Sequence, residues 1–194
     1  MEQIILASGS LRRQEYFKLL GLPFSVVPAD IDESATTQTD PIELTRELAV
    51  KKVEKVLNEI KDNPPWIFGA DTVVAINNKI LGKPYDRDNA FAMLSELSGS
   101  LHQVITSIAL YNGREKKIDC RTACCTVHFA ALSKEEIERY LESGEWQGVA
   151  GAYRIQGLAG CFVEKIEGCP STVVGLPLRE FYVMLKDNGC PFGA

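Results

Sequence analysis

Apolar and polar positions alternate along this chain in a pattern that mixes strands and helices. Ile4-Ile5-Leu6-Ala7 is an apolar run that ends in Ser8-Gly9-Ser10, and a helical pattern begins at once with Arg12 and Arg13 in its first turn. Strand, tight loop and helix in that order aim the loose N–H groups of a helix N-terminus at one spot. The helix, Ser10–Leu20, turns Leu11, Tyr16, Leu19 and Leu20 toward a core and stops at Gly21. Phe24–Val27 reads as a short strand. Asp40-Pro41-Ile42-Glu43 supplies an N-cap, a first-position proline and a Glu three after the cap, which starts a helix running to about Ile60. Its inner face is Leu44, Leu48, Val53, Val56, Leu57 and Ile60, with Lys52 on the edge of the stripe. Trp66–Ile76 reads as a strand interrupted at Gly69-Ala70-Asp71-Thr72, and Asn77-Asn78 turns it into Lys79–Leu81.

The second half continues the alternation. Asp88–Leu97 is a helix with Ala90, Phe91, Leu94 and Leu97 inward, ended by Ser98-Gly99. A strand runs from His102 to Tyr111, and Asn112-Gly113 turns it into further strand through about Phe129. Ser133–Leu141 is a helix with the capping box Ser133/Glu136, ended by Gly144. Between Ala150 and Gly160, glycine and alanine alternate around Tyr153 and Gln156, which suits a loop pressed closely against something. Gly160–Ile166 reads as a strand, Cys169-Pro170-Ser171 as a turn and Pro177–Lys186 as a closing helix. No repeat or linker divides the chain, so the pattern predicts one α/β domain over 1–194.

Composition narrows the function classes. The 194 residues are 45% hydrophobic and 24% charged, with a net charge of −5. That balance offers no broad basic face for nucleic acid or an anionic membrane, so a polyanionic ligand would need a local cluster of Lys and Arg. No leader pattern and no run of membrane-spanning length is present, so a cytoplasmic protein is expected. Six cysteines without any C-x-x-C read as reduced thiols rather than a zinc site.

Four features carry candidate chemistry. Arg12 and Arg13 stand in a helix first turn, where the macrodipole disfavours cations unless an anion sits there; solvated surface arginines are the alternative. Asp30-Ile31-Asp32-Glu33 is either solvated acid or a source of oxygen ligands for a hard cation. Asp71 lies among Ile67, Phe68, Val73 and Val74, where a carboxylate is paired, metal-bound or at a kink, and function is the favoured reading. Lys52, on its stripe edge, either snorkels to water or reaches into a cleft. His102 and His128 have no second histidine at ligand spacing and read as structural or surface residues.

Taken together, short motifs in order over nearly the whole chain resemble one family. They are Ala7-Ser8-Gly9-Ser10 with Arg12-Arg13, Leu48-Ala49 with Lys52, Gly69-Ala70-Asp71-Thr72-Val73 and Leu81-Gly82-Lys83-Pro84. Ser98-Gly99 with His102, Val104 and Thr106, Ala150-Gly151-Ala152-Tyr153 with Ile155-Gln156-Gly157, and Val174-Gly175-Leu176-Pro177 complete the set. The chain is similar in these to the Maf family of nucleoside triphosphate pyrophosphatases. The resemblance implies a Maf/ITPase-like α/β fold, with a long twisted mixed sheet, flanking helices and two lobes around a nucleotide cleft. It implies hydrolysis of surplus or modified nucleoside triphosphates to monophosphate and pyrophosphate with a divalent cation (Mg2+, Mn2+ or Co2+), a homodimer, and a link to septum formation.

Residue by residue, the resemblance implies a phosphate-binding cluster of Ser8, Ser10, Arg12 and Arg13 with Lys52 and Lys83. Glu33 and Asp71 would be metal ligands, with Asp71 also the general base on water; the sequence leaves base and ligand roles for Asp71 open. Arg12, Gln156 and Thr72 match the dTTP/UTP branch, since an amide at Gln156 can donate to O4 and accept from N3–H of a uracil or thymine edge. Relatives selective for 7-methyl-GTP carry Glu at Gln156 and Trp at Arg12, which disfavours that specificity. A nucleotide sensor without turnover is the competing class, and retention of Asp71 and Lys83 argues for the enzyme. No G-x-x-x-x-G-K-[ST] occurs, so this is not a P-loop protein. Leu11, Val53 and Gly148-Val149 depart from the family pattern, and the last pair bears on substrate preference or rate.

Overall fold

Strand-forming runs separated by helices give a mixed α/β protein, described by a computed structural model for residues 2–60 and 64–192. Hydrogen-bonded strands follow the order β2-β1-β3-β5-β6-β7, with a further strand on β3, making seven among the described residues. They are β1 (Ile4–Leu6), β2 (Phe24–Val26), β3 (Trp66–Ile76), β4 (Lys79–Leu81), β5 (Leu101–Asn112), β6 (Lys117–Phe129) and β7 (Val163–Glu167). Pairing is parallel for β1 with β2 and β3, and antiparallel for β3 with β4 and β6 with β7, so the expected mixed sheet is present. Residue contacts group into two compact units. One comprises Met1–Asp71, Thr106–Ala123 and Gly175–Ala194; the other comprises Thr72–Ile105 and Cys124–Val174. Among the described residues no helix is long and apolar enough to cross a membrane.

In the first unit, Ile4 aligns with both Phe24 and Trp66, so β1 is the middle of three parallel strands. Helix α1 (Leu11–Leu19) connects β1 to β2, and α2 (Pro41–Glu59) leads into β3. The core residue of α1 is Phe17, ringed by Phe24, Phe68 and Phe181 at centroid distances of 5.3–5.4 Å. This corrects the expected inner face. Leu11 and Leu19 are 72% and 74% exposed, while Tyr16 and Leu20 pack beside Phe17. Leu19 lies about 200° around the helix from Phe17, so both cannot face the sheet. Helix α2 behaves as its sequence dictates, with Asp40 Oδ1 accepting from the Ile42 and Glu43 amides at 2.9 Å each. Helix α6 (Leu178–Asp187) closes the unit with Phe181, Met184 and Leu185 inward.

Strand β3 is a second correction: it runs unbroken for 11 residues, without the expected interruption at 69–72. Gly69 serves close packing instead. A Cβ there would stand 2.7 Å from Ala49 O and 2.9 Å from Val53 Cγ2, so glycine lets α2 lie directly on the strand.

In the second unit, Asn77 and Asn78 at φ 50° and 60° make the hairpin turn from β3 to β4. Helices α3 (Arg87–Leu97) and α4 (Lys134–Glu142) are capped by Asp86 and by the Ser133/Glu136 box. Around them Leu94, Leu97, Val127, Ile137, Leu141 and Tyr153 form the core. Two expected elements differ. β7 begins at Val163 rather than Gly160, because residues 158–162 form a 3-10 turn in which Gly160 N bonds Gly157 O at 3.0 Å. The Cys169-Pro170-Ser171 turn is the start of a short helix, α5 (Pro170–Val174), with proline pre-set for its first position.

Candidate active site

The first unit concentrates charge in a partly enclosed place. After β1, Ala7 N donates to Phe68 O at 2.8 Å, which carries the chain over β3 and leaves Ser8 buried. Ser10 takes the N-cap position of α1 with extended backbone but no side-chain cap, and α1 has no acid in its first turn. Ser8 Oγ accepts from Ser10 N at 3.3 Å and from Arg13 Nη1 at 3.0 Å. Arg13 Nε donates to Gly175 O at 2.9 Å, so the guanidinium is held from two sides. Burial lowers Arg13 to about 10, the Asp71 carboxylate pulls it back up, Arg12 beside it pushes it down, and Glu33 pulls it up. A guanidinium set against its own helix dipole is the arrangement expected for binding an anion.

Lys52 joins the acids. Its Nζ lies 2.6 Å from Asp71 Oδ1 and 3.0 Å from Glu33 Oε1. Asp71 is 7% exposed and Lys52 8%, so Asp71 is a buried, paired carboxylate and not a residue at a solvent kink. Lys52 reaches inward, as the less common of its two readings required. Among the described residues no group of three or more His, Cys, Asp and Glu could hold a metal. Two carboxylates on one ammonium are nevertheless a hard-oxygen donor set. That is what magnesium or manganese takes from protein when phosphate oxygens and waters complete its shell, so Glu33 and Asp71 fit such an ion.

Thus Ser8, Ser10, Arg13, Glu33, Lys52 and Asp71 come together, with Arg12 adjacent on α1. Thr72, Lys83 and Gln156 are carried by the second unit. Thr72 follows Asp71 on β3 and is half-buried; Lys83 and Gln156 are exposed. Gly82, next to Lys83, accepts from Gly151 N at 3.0 Å. Gly151 has φ 67° and packs so tightly on Val74 that a Cβ would stand 2.8 Å from Cγ2. Val74 is therefore the surface against which Gly151, near the start of the 150–160 loop, is pressed. Of the departing pair, Gly148 has φ 67° and Val149 is buried.

Gly175 is a partner that residue chemistry alone did not single out, because it works through a backbone carbonyl. The structural reading of the histidines holds. His102 Nε2 lies 2.8 Å from the Tyr153 hydroxyl and its ring stands edge-on to Phe129. Burial lowers its pKa to about 4, so it is neutral near pH 7. His128 meets Glu167 at the surface.

Residues 3–188 match the family model described as Maf-like protein. A dTTP/UTP pyrophosphatase of Alkaliphilus oremlandii is 46% identical over 188 residues, covering 97% of each chain. One of Hahella chejuensis is 46% identical over 188 residues, covering 96% of this chain and 92% of its own. One of Pelotomaculum thermopropionicum is 41% identical over 189 residues, covering 97% and 98%. In fold, the Staphylococcus aureus Ham1 protein is similar at a TM-score of 0.56 and 12% identity, over 96% of this chain and 99% of that one.

Proposed function

The chain belongs to the Maf family, and from that premise we propose that it hydrolyses dTTP and UTP to the monophosphate and pyrophosphate, clearing surplus or modified pyrimidine nucleotides from the pool. The observation that carries this reading is the buried Lys52–Asp71 pair, joined by the exposed Glu33 and lying beside Arg13. The Asp71 carboxylate, held 2.6 Å from the Lys52 ammonium, is fixed in place as the acceptor for a proton from the attacking water. Ser8, Ser10, Arg12 and Arg13 bind phosphate oxygens at the N-terminus of α1, where N–H groups and guanidinium add to one another. Lys52 orients Asp71, and Lys83 offsets the charge that builds up on the departing pyrophosphate. Gln156 reads the pyrimidine edge through its amide, and Thr72 belongs to the same substrate-contacting set. A divalent cation held by Glu33 and Asp71 would supply charge neutralisation at the phosphates. Free thiols at all six cysteines suit a reducing compartment such as the cytoplasm.

The test is pyrophosphate release by the purified protein on dTTP, UTP, CTP, GTP and 7-methyl-GTP, with magnesium or manganese. Rapid cleavage of dTTP and UTP with little on the others is expected. Tight nucleotide binding without turnover would replace the enzyme by a sensor, and preference for 7-methyl-GTP would move the protein to the other branch.

A further inference from the structure

The turn that carries Gln156 is gripped at both ends by two side chains, Tyr140 near the C-terminal end of α4 and Glu145 in the turn just after it. Arg154 N donates to the Tyr140 hydroxyl oxygen at 3.1 Å, and Leu158 N donates to Glu145 Oε2 at 2.9 Å. Between these points Gly157 N bonds Arg154 O at 3.0 Å, closing a turn with Gln156 at its third position. Gly157 lies so close to the Glu145 carboxylate that any Cβ would overlap it. Its φ of −116° and ψ of −150° are ordinary extended values, so this glycine answers to Glu145 and not to backbone strain. Tyr140 is buried, which pushes its phenol up to about 12 and keeps the hydroxyl protonated.

We propose that Glu145 and Tyr140 are positioning residues for base selection, holding the 154–158 turn so that the Gln156 amide meets a pyrimidine edge in one orientation only. This rests on the reading of Gln156 as the base contact. The amide is nearly symmetric in shape. One way round it donates to O4 and accepts from N3–H of thymine or uracil; flipped, it accepts from the amino group and donates to N3 of cytosine. The flip is a rotation about the amide's own terminal bond, so one orientation persists only while the amide stays seated against the groups that flank it, and the backbone beneath it sets that seat. Residues outside the pocket hold that backbone firm.

The experiment compares kcat/KM for dTTP and for CTP, with magnesium, in the full-length protein and its variants. Glu145→Ala removes the acceptor for Leu158 N and should lower the dTTP-to-CTP ratio by about tenfold. Glu145→Gln keeps an acceptor oxygen and should restore most of the ratio. Gly157→Ala should lower the ratio in the parent and do so much less in the Glu145→Ala background, because the collision partner is gone. Equal losses on both substrates in Glu145→Ala, with the ratio intact, would mark a merely structural residue and overturn the proposal. An unchanged ratio in Glu145→Ala, while Gln156→Glu erases the dTTP preference, would overturn the clamp and leave the base contact standing. An unchanged ratio in Gln156→Glu as well would remove the base contact and the clamp with it.

Discussion

The two compact units bury polar groups in opposite ways. The first buries charges: Lys52 and Asp71 are nearly enclosed, and the half-buried Arg13 guanidinium is held by Ser8 and Gly175. The second buries a neutral pair, His102 with Tyr153, and leaves its candidate substrate groups, Lys83 and Gln156, exposed. Enclosed charges need partners already in place, and in the first unit Lys52, Asp71 and Arg13 all have them. Exposed groups on loops owe their placement to the backbone beneath them, as at Gly151 on Val74 and Leu158 on Glu145. On the proposed function, one unit would set reactivity and the other present contacts.

This contrast predicts which substitutions harm activity and which harm the fold. Asp71→Asn should reduce turnover by about 10³-fold while lowering the melting temperature by no more than about 5 °C, since the amide keeps an oxygen for Lys52 Nζ. A variant retaining most of its rate would remove Asp71 from the chemistry. Lys52→Met should cost about 10²-fold in kcat/KM and also destabilise the protein by about 1–3 kcal/mol, because two carboxylates lose their shared ammonium; the lower end reflects the exposure of Glu33. Denaturant unfolding measures it. Lys83→Ala should likewise cost about 10²-fold in rate, yet shift stability by less than about 0.5 kcal/mol, the usual effect at an exposed position. Stability loss in Lys83→Ala matching that of Lys52→Met would erase the contrast between the units.

Helix α2 and the β3–β4 hairpin were legible because each is dictated locally, by Asp40-Pro41 and Glu43 in one case and by two asparagines in the other. Seven candidate site residues of the first unit were nameable from the sequence, the charged ones by residue type and Ser8 and Ser10 through the family resemblance, but their pairing was not. That Lys52 bridges Glu33 and Asp71 depends on α2 lying against β3, which Gly69 permits through contact with Ala49 and Val53. The same long-range packing explains the errors. Gly69 looked like a break in β3 because its use lies in another element. Leu19 looked like core in α1 because periodicity alone cannot choose between it and Phe17, which the rings of Phe24, Phe68 and Phe181 select. The Tyr140 and Glu145 contacts with the Gln156 turn were unreadable for a similar reason, as both end on backbone N–H groups that every residue but proline has.

The smallest effect tests the neutral side of the contrast. His102 is 2% exposed, and burial lowers its pKa from 6.5 to about 4. The unfolded chain therefore binds a proton at this position between about pH 4 and 6.5 while the folded chain does not, so stability falls as pH falls through that window. The slope from this residue approaches about 1.2 kcal/mol per pH unit near the middle of the window and fades out by about pH 8. His102→Gln removes the titration and should flatten the unfolding free energy by that amount between pH 4.5 and 6, whatever its own cost at neutral pH. Unfolding curves at stepped pH give the comparison, with carboxylate titrations common to both proteins cancelling in the difference. An unaltered slope would mean that His102 carries a proton within the folded unit. The second unit would then bury charge as the first does.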